Sequence, residues 1–180
     1  MIRVTAGSLR GRRIPVPKDL VRPTSERARQ AFFNIVGARI HDARFLDLFA
    51  GSGIFSFEAV SRGAKESVAI DDSRAHTANL DKVARELGVP IRTVTADALA
   101  GIKRLGDQVF DVIYADPPYA YRQYDELLMS IDTSVALEAE ALVAFEHRRR
   151  TEPFTATPTR LQLLRRAEYG EVWITFFIAS

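Results

Sequence analysis

The chain contains no cysteine, only three histidines, one tryptophan and two methionines, and no apolar run near the ~20 residues that a membrane-spanning helix needs. Without thiols it can form no disulfide and use no thiolate nucleophile, and three scattered imidazoles leave a zinc site few ligands, so no metal is expected. The N-terminus lacks an apolar signal core, which makes the cytoplasm the expected location. Net charge is small, +2, and what remains is ordinary for a globular protein: 180 residues, 47% hydrophobic and 27% charged. That excludes disorder and suffices for one domain able to bury roughly 70% of its unfolded surface. Neither a linker nor an internal repeat interrupts it.

The small net charge hides an asymmetry. The first 30 residues hold eight basic side chains against Asp19 and Glu26, a balance of +6, which leaves −4 for the remainder. Glycines at 7 and 11, with Ile2, Val4, Ile14 and Val16 at strand spacing, predict a small basic hairpin over residues 1–20, attached to a domain over 21–180. A basic arm on a mildly acidic body fits attachment to a polyanion, with salt-sensitive affinity, through Arg3, Arg10, Arg12, Arg13, Lys18, Arg22 and Arg27. Arginine dominates, and its planar fork suits phosphates and unpaired bases. The competing reading is a solvated hairpin whose charges only maintain solubility.

The tetrapeptide Asp116-Pro117-Pro118-Tyr119 follows the apolar run Phe110-Asp111-Val112-Ile113-Tyr114-Ala115 and combines a carboxylate, a proline-stiffened carbonyl and an aromatic face. These suit a flat heterocycle bearing an exocyclic amine. Such an amine is a poor nucleophile because its lone pair is delocalised into the ring. If Asp116 and the Pro117 carbonyl each accept one N–H, the nitrogen is drawn towards a pyramidal shape and its lone pair turns out of the plane. Tyr119 would stack on the ring. A plain X-Pro-Pro strand stop is the alternative, and the tetrapeptide alone does not exclude it.

Three further segments strengthen the first reading. Phe45-Leu46-Asp47-Leu48-Phe49-Ala50-Gly51-Ser52-Gly53 reads as a buried strand entering a glycine turn, followed by a helix over 54–62, with Gly53 letting a ligand approach the backbone. Ser56 stands where the dinucleotide fingerprint would have its third glycine, and Asp47 would repel phosphates while attracting an ammonium or sulfonium group. Asp71 ends the strand over 67–70 at the spacing of a ribose-binding acid, and Asp97 follows the strand over 91–94, where it could accept from an adenine amino group. Each such acid alone is more often a helix cap or turn residue than a ligand contact, but four in register are harder to dismiss.

Elsewhere strand and helix alternate, which predicts a doubly wound α/β sheet with ligands beyond the carboxyl ends of its strands. Thr24 or Ser25 caps a helix with Ala28, Ala31, Phe32 and Ile35 on its apolar face, Arg27 and Arg29 outside it, and Gly37 as its stop. Ser73 caps another, with Leu80, Val83, Ala84 and Leu87 inward. Short helices follow over 99–105 and 124–131, then a buried strand over 141–146 ending near the run Arg148-Arg149-Arg150. The C-terminus reads as a hairpin, with Trp173, Phe176 and Phe177 in the core.

Taken together, the segment 47–53, Asp71 and the 116–119 tetrapeptide resemble a Rossmann-fold methyltransferase that uses S-adenosylmethionine. The stretches Arg3-Val4-Thr5-Ala6-Gly7-Ser8-Leu9-Arg10-Gly11-Arg12-Arg13 and Val21-Arg22-Pro23-Thr24-Ser25-Glu26-Arg27-Ala28-Arg29-Gln30-Ala31-Phe32-Phe33-Asn34 are similar to the start of the RsmD family, which methylates the 2-amino group of a guanine in bacterial 16S ribosomal RNA. The resemblance implies a sheet of about seven strands with a C-terminal antiparallel hairpin. It implies that Asp47, Phe49, Gly51, Ser52, Gly53, Asp97, Ala98 and Thr24 bind the cofactor, together with Asp71 or Asp72 at the ribose. Asp116, Pro117, Pro118 and Tyr119 would then be catalytic and the basic side chains of the arm would bind RNA. The implied substrate is a loop guanine in an assembled small-subunit particle, and the implied protein is a monomer. A DNA adenine or cytosine amino-methylase, and a non-catalytic RNA-binding assembly factor on the same fold, are the alternatives.

Overall fold

Residues 1–17, 25–134 and 137–180 are described by the structure, a computed structural model. Lys18, Arg22 and Thr24 lie outside the described residues. The main sheet has seven strands in the order β5-β4-β3-β6-β7-β9-β8. They are β3 (Arg44–Leu48), β4 (Glu66–Asp71), β5 (Ile91–Thr95), β6 (Phe110–Ala115), β7 (Leu137–Arg148), β8 (Leu161–Tyr169) and β9 (Val172–Ala179). Strands β3 to β7 are mutually parallel, and β9 runs antiparallel between β7 and β8. The central strands read as near-continuous apolar runs because both faces of a parallel sheet are covered by helices. On one face pack α1 (Glu26–Val36), α2 (Ile54–Ser61) and α3 (Arg74–Leu87); on the other pack α4 (Ala98–Arg104) and α5 (Tyr124–Thr133). No helix among the described residues is long and apolar enough to cross a membrane.

Helix starts follow their chemistry. The hydroxyl of Ser25 accepts from Ala28 N–H at 3.0 Å, Ser73 caps α3, and the Asp97 carboxylate caps α4 through Ala100 N–H at 3.0 Å. Helix α1 corrects the face expected from its periodicity. Ala28, Phe32, Phe33 and Val36 are buried, Ala31 and Ile35 only partly, and Arg29, expected outside, is fully enclosed. The reason is tertiary: the N-terminal arm roofs α1 and α2, so a side chain facing away from the sheet still lies inside the protein.

That arm pairs only at β1 (Ile2–Arg3) and β2 (Arg13–Ile14), much shorter strands than the alternation predicts. Between them the chain folds into a compact loop, with Val4 N–H donating to Arg12 O and Gly11 N–H to Val4 O. The loop docks on α2. Ser8 N–H donates to the Ser61 carbonyl, Leu9 N–H to its hydroxyl, and Gly7 approaches so closely that a Cβ there would stand 1.7 Å from the Ser61 carbonyl oxygen. Val4 and Ile14 join the same core as α1 and α2, which is why every residue of α2 is buried. At the opposite end, Phe176 and Phe177 are core as expected, but Trp173 is only half-buried, with the Arg166 guanidinium 4.8 Å from its ring centroid and the His147 ring edge-on at 6.2 Å.

Candidate active site

Register aligns the loops that build the site. Leu48 on β3 pairs with both Ile70 on β4 and Ala115 on β6, and Asp71 pairs with Thr95 on β5, so the segments leaving these strands begin at one level. They enclose a pocket of about 890 Å³ at the carboxyl edge of the parallel strands, the position that an open α/β sheet reserves for ligands. The glycine turn, the two acids after β4, the start of α4 and the whole 116–119 tetrapeptide line it.

The turn after β3 is held from several directions. Ala50 N–H donates to Ile70 O at 3.0 Å and Gly51 N–H to one Asp71 oxygen at 2.8 Å. Phe49 adopts φ 61°, a left-handed conformation that is costly for a bulky residue, and its ring meets Tyr121 edge-on at 5.1 Å. Gly53 serves a different purpose from the one expected. It does not line the pocket; a Cβ there would stand 2.4 Å from Leu80 Cδ1, so the close approach is to α3 rather than to a ligand.

Asp47 lies almost fully buried at the end of β3, accepting from Ser56 N–H at 3.1 Å and Ser56 O–H at 2.7 Å. Ser67 O–H donates in turn to Ser56 at 3.0 Å, so the serine in place of a third glycine joins a buried polar chain. Burial pushes the Asp47 carboxyl up to about 7; the bonds from Ser56 oppose this, while the charges of Asp71 and Asp116 add to it. A cation beside it would favour the ionised form.

Asp71 uses its second oxygen on Ser73 N–H at 3.0 Å and faces His76 Nδ1 at 2.9 Å, so it organises the loops around it, while the exposed Asp72 also lines the pocket. Asp97 combines its capping role with a place in the lining, next to the buried Ala98.

After β6, Asp116 N–H donates to Leu48 O, continuing the ladder by one residue before Pro117 ends it. The turn then consumes two carbonyls: Pro118 O accepts from Tyr121 N–H and Tyr119 O from the Arg122 guanidinium. Among the described residues no donor competes for the Pro117 carbonyl. Tyr119 is 48% exposed and lines the pocket.

The lining also holds polar side chains that are not among the site residues expected from the sequence: His76, Tyr114, Tyr121, Gln123 and Glu146. For Glu146 a signal existed, since it closes the strand expected over 141–146, near the edge that holds Asp116. The Tyr121 hydroxyl is buried without a hydrogen-bond partner among the described residues, and burial, with the charges of Glu126 and Asp97, pushes it up to about 12, so it remains a donor. An orphaned donor in the lining, a buried acid responsive to positive charge, and apolar walls from Ile70 and Leu99 fit an adenosine-bearing sulfonium compound in size and chemistry.

The arm's Arg3, Arg10, Arg12 and Arg13 are exposed, as is Arg27 on α1. The arm meets α2 at Glu58 and Ser61, whereas the pocket touches that helix at Ile54 and Phe55, about one to two helical turns away. Arg148, Arg149 and Arg150 are exposed at the carboxyl end of β7, on the pocket side of the sheet.

Comparison with known proteins agrees with this architecture. The model of the family described as Conserved hypothetical protein 95 matches residues 2–178. The chain is 34% identical to the Ribosomal RNA small subunit methyltransferase D of Escherichia coli strain K12, over 81% of this chain and 74% of that one. It is 30% identical to the protein of the same name from Haemophilus influenzae, over 95% and 90%. Among solved structures, the E. coli protein yhhF superposes with a TM-score of 0.88 at 32% identity, covering 99% of this chain and 98% of that one.

Proposed function

The chain belongs to the RsmD family of ribosomal RNA methyltransferases, and from that premise we propose that it transfers a methyl group from S-adenosylmethionine to the exocyclic 2-amino group of a guanine in 16S ribosomal RNA. The observation that carries this reading is the meeting of the 116–119 tetrapeptide, the turn after β3 and Asp71 in one pocket. The substrate is a guanine in the assembled small-subunit particle, and the enzyme acts as a cytoplasmic monomer.

When bound, S-adenosylmethionine supplies an electrophilic methyl carbon on a positively charged sulfur. The protein's contribution is orientation and electrostatics. Asp116 and the Pro117 carbonyl accept the two N–H groups of the amine and aim its lone pair, while Tyr119 stacks on the base and sets its tilt. The charge of Asp116 stabilises the positive charge that grows on nitrogen, and the aminium proton can leave through that carboxylate or to water. Asp47, tuned to about 7, balances the positive donor in the pocket. The Tyr121 hydroxyl donates to the adenosine portion, Asp71 or Asp72 holds the ribose, and Asp97 and Ala98 border the adenine. The base has to leave its stack to enter, so an unpaired loop guanine suits the pocket better than one in a duplex. Exposed arginines of the arm attract the backbone, Lys18 and Arg22 belong to the same proposed surface, and Thr24 belongs to the proposed cofactor site.

The test is radiolabelled methyl transfer to small-subunit particles. Asp116→Ala should lower turnover by at least about 100-fold while leaving cofactor affinity within a few-fold, because the lost interaction forms mainly in the transition state. Equal labelling of duplex DNA, or undiminished labelling by the variant, would reject the assignment.

A further inference from the structure

Glu146 occupies the pocket without a role in the transfer as derived above. The β6–β7 register ends with Tyr114↔Ala144 and Ala115↔Phe145, so Asp116 and Glu146 each follow the last pair by one residue, and both line the pocket. Neighbouring strands are about 4.8 Å apart, so side chains leaving β6 and β7 at one level can reach the same ligand. Glu146 is nearly fully buried yet contributes to the lining, and the Tyr114 hydroxyl donates to its Oε2 at 2.7 Å. Tyr114 is itself immobilised, stacked on Phe55 at 3.8 Å between ring centroids and packed against Phe32 at 4.8 Å. Burial, then the charge of Glu146, raises the Tyr114 phenol well above its ordinary range, so it remains a donor at any pH the enzyme meets. A buried acid held by a locked tyrosine has a defined direction, which a solvated acid lacks.

The chemistry of the bases gives that direction a use. Guanine presents N1–H beside its 2-amino group, two donors on one edge, whereas adenine presents an unprotonated N1 there. With Asp116 engaged on the amine, the neighbouring acid meets position 1 of the ring. We propose that Glu146, oriented by Tyr114, accepts the N1–H of the target guanine and is the residue that selects guanine over purines lacking that hydrogen. The inference rests on the methyl-transfer reading above and names the base-selecting contact within the same site. A carboxyl accepts through several lone pairs, so accepting from Tyr114 is compatible with accepting an N1–H from a base.

The experiment compares small-subunit particles assembled with a synthetic rRNA segment carrying either guanine or 2-aminopurine at the labelled position. 2-Aminopurine keeps the 2-amino group and lacks N1–H. A site built around a hydrogen bond rejects an analogue without it by up to about 10⁴-fold, so the wild-type enzyme should favour guanine by at least about 10³. Glu146→Gln should slow the guanine reaction and narrow the ratio at least tenfold, because the amide can donate to the bare N1 of 2-aminopurine. Tyr114→Phe should shift the ratio in the same direction by less, and it serves as the second arm should Glu146→Gln fail to fold. Equal loss on both bases, or an unchanged ratio in a folded variant of either residue, would overturn the role of Glu146 while leaving methyl transfer intact. Absence of labelling by the wild-type enzyme on guanine would instead overturn the reading on which it rests.

Discussion

Asp47 sits at the junction of stability and ligand binding. Its carboxyl is raised to about 7 in the folded protein, whereas in the unfolded chain it titrates near the ordinary ~3.9. Between those values the folded state holds the proton more tightly. The associated stability is therefore complete below about 4 and is lost as pH rises through about 7, a change of about 4 kcal/mol. Replacing Asp47 with Asn should flatten the pH dependence of stability across that window and leave the variant no less stable than wild type under mildly alkaline conditions, as urea denaturation would measure. Wild type should bind S-adenosylmethionine more tightly as pH rises through 7, because the acid must ionise to meet a positive ligand, and the same replacement should abolish that gain. The presence of an acid before a glycine turn is legible in the sequence. Its shifted titration is not, because burial and the nearness of Asp71 and Asp116 arise only when three strands align.

Helix α2 shows how one buried side chain can tie several elements together. Glu58 accepts from Thr5 N–H and Thr5 O–H at 2.7 Å each, from Arg29 Nε at 3.2 Å and from Arg62 Nε at 3.1 Å, joining the arm, α1 and α2. Arg29 also donates to the Arg3 carbonyl at 2.9 Å. Replacing Glu58 with Gln leaves the enclosed guanidinium without its countercharge, a change that costs about 3–5 kcal/mol in comparable buried pairs. Denaturation should register that loss, and hydrogen exchange should show the amides of Thr5 and Leu9 losing protection first, since the arm is bound through this cluster. Local periodicity placed α1 and its cap correctly and misjudged its inward face, because a helical pattern assumes one solvent side and the arm removed it. The strands of the arm itself shrank for the related reason that its glycines let it wrap onto α2 rather than extend.

Across the molecule, charge and topology divide the labour. The parallel strands deliver their acids to one edge; basic side chains are exposed at the end of β7 on that edge, and others on the arm, which docks on α2 at Glu58 and Ser61. Arg10, Arg12 and Arg13 are exposed, so replacing all three with Ala should leave the melting temperature nearly unchanged. RNA affinity should fall, and the slope of log affinity against log salt should become shallower by about 2, roughly 0.7 for each lost contact to a single strand. Binding titrations at several salt concentrations would check this, and an unchanged slope would return the arm to a solubility role.

The amino-acid order alone settled whatever depends on near neighbours: the alternation of strand and helix, the serine caps, the proline-stiffened turn at 116–119, and the spacing of acids at strand ends. These are consequences of backbone sterics, hydrogen-bonding reach and hydrophobic period, all of which act over a few residues. The docking of the arm on α2, the enclosure of Arg29, the use of Gly53 against Leu80 and the pairing of Glu146 with Tyr114 emerged only with the tertiary structure. Each joins groups from separate elements, and which groups meet is decided by strand order and packing of the complete chain, on which no local window carries information.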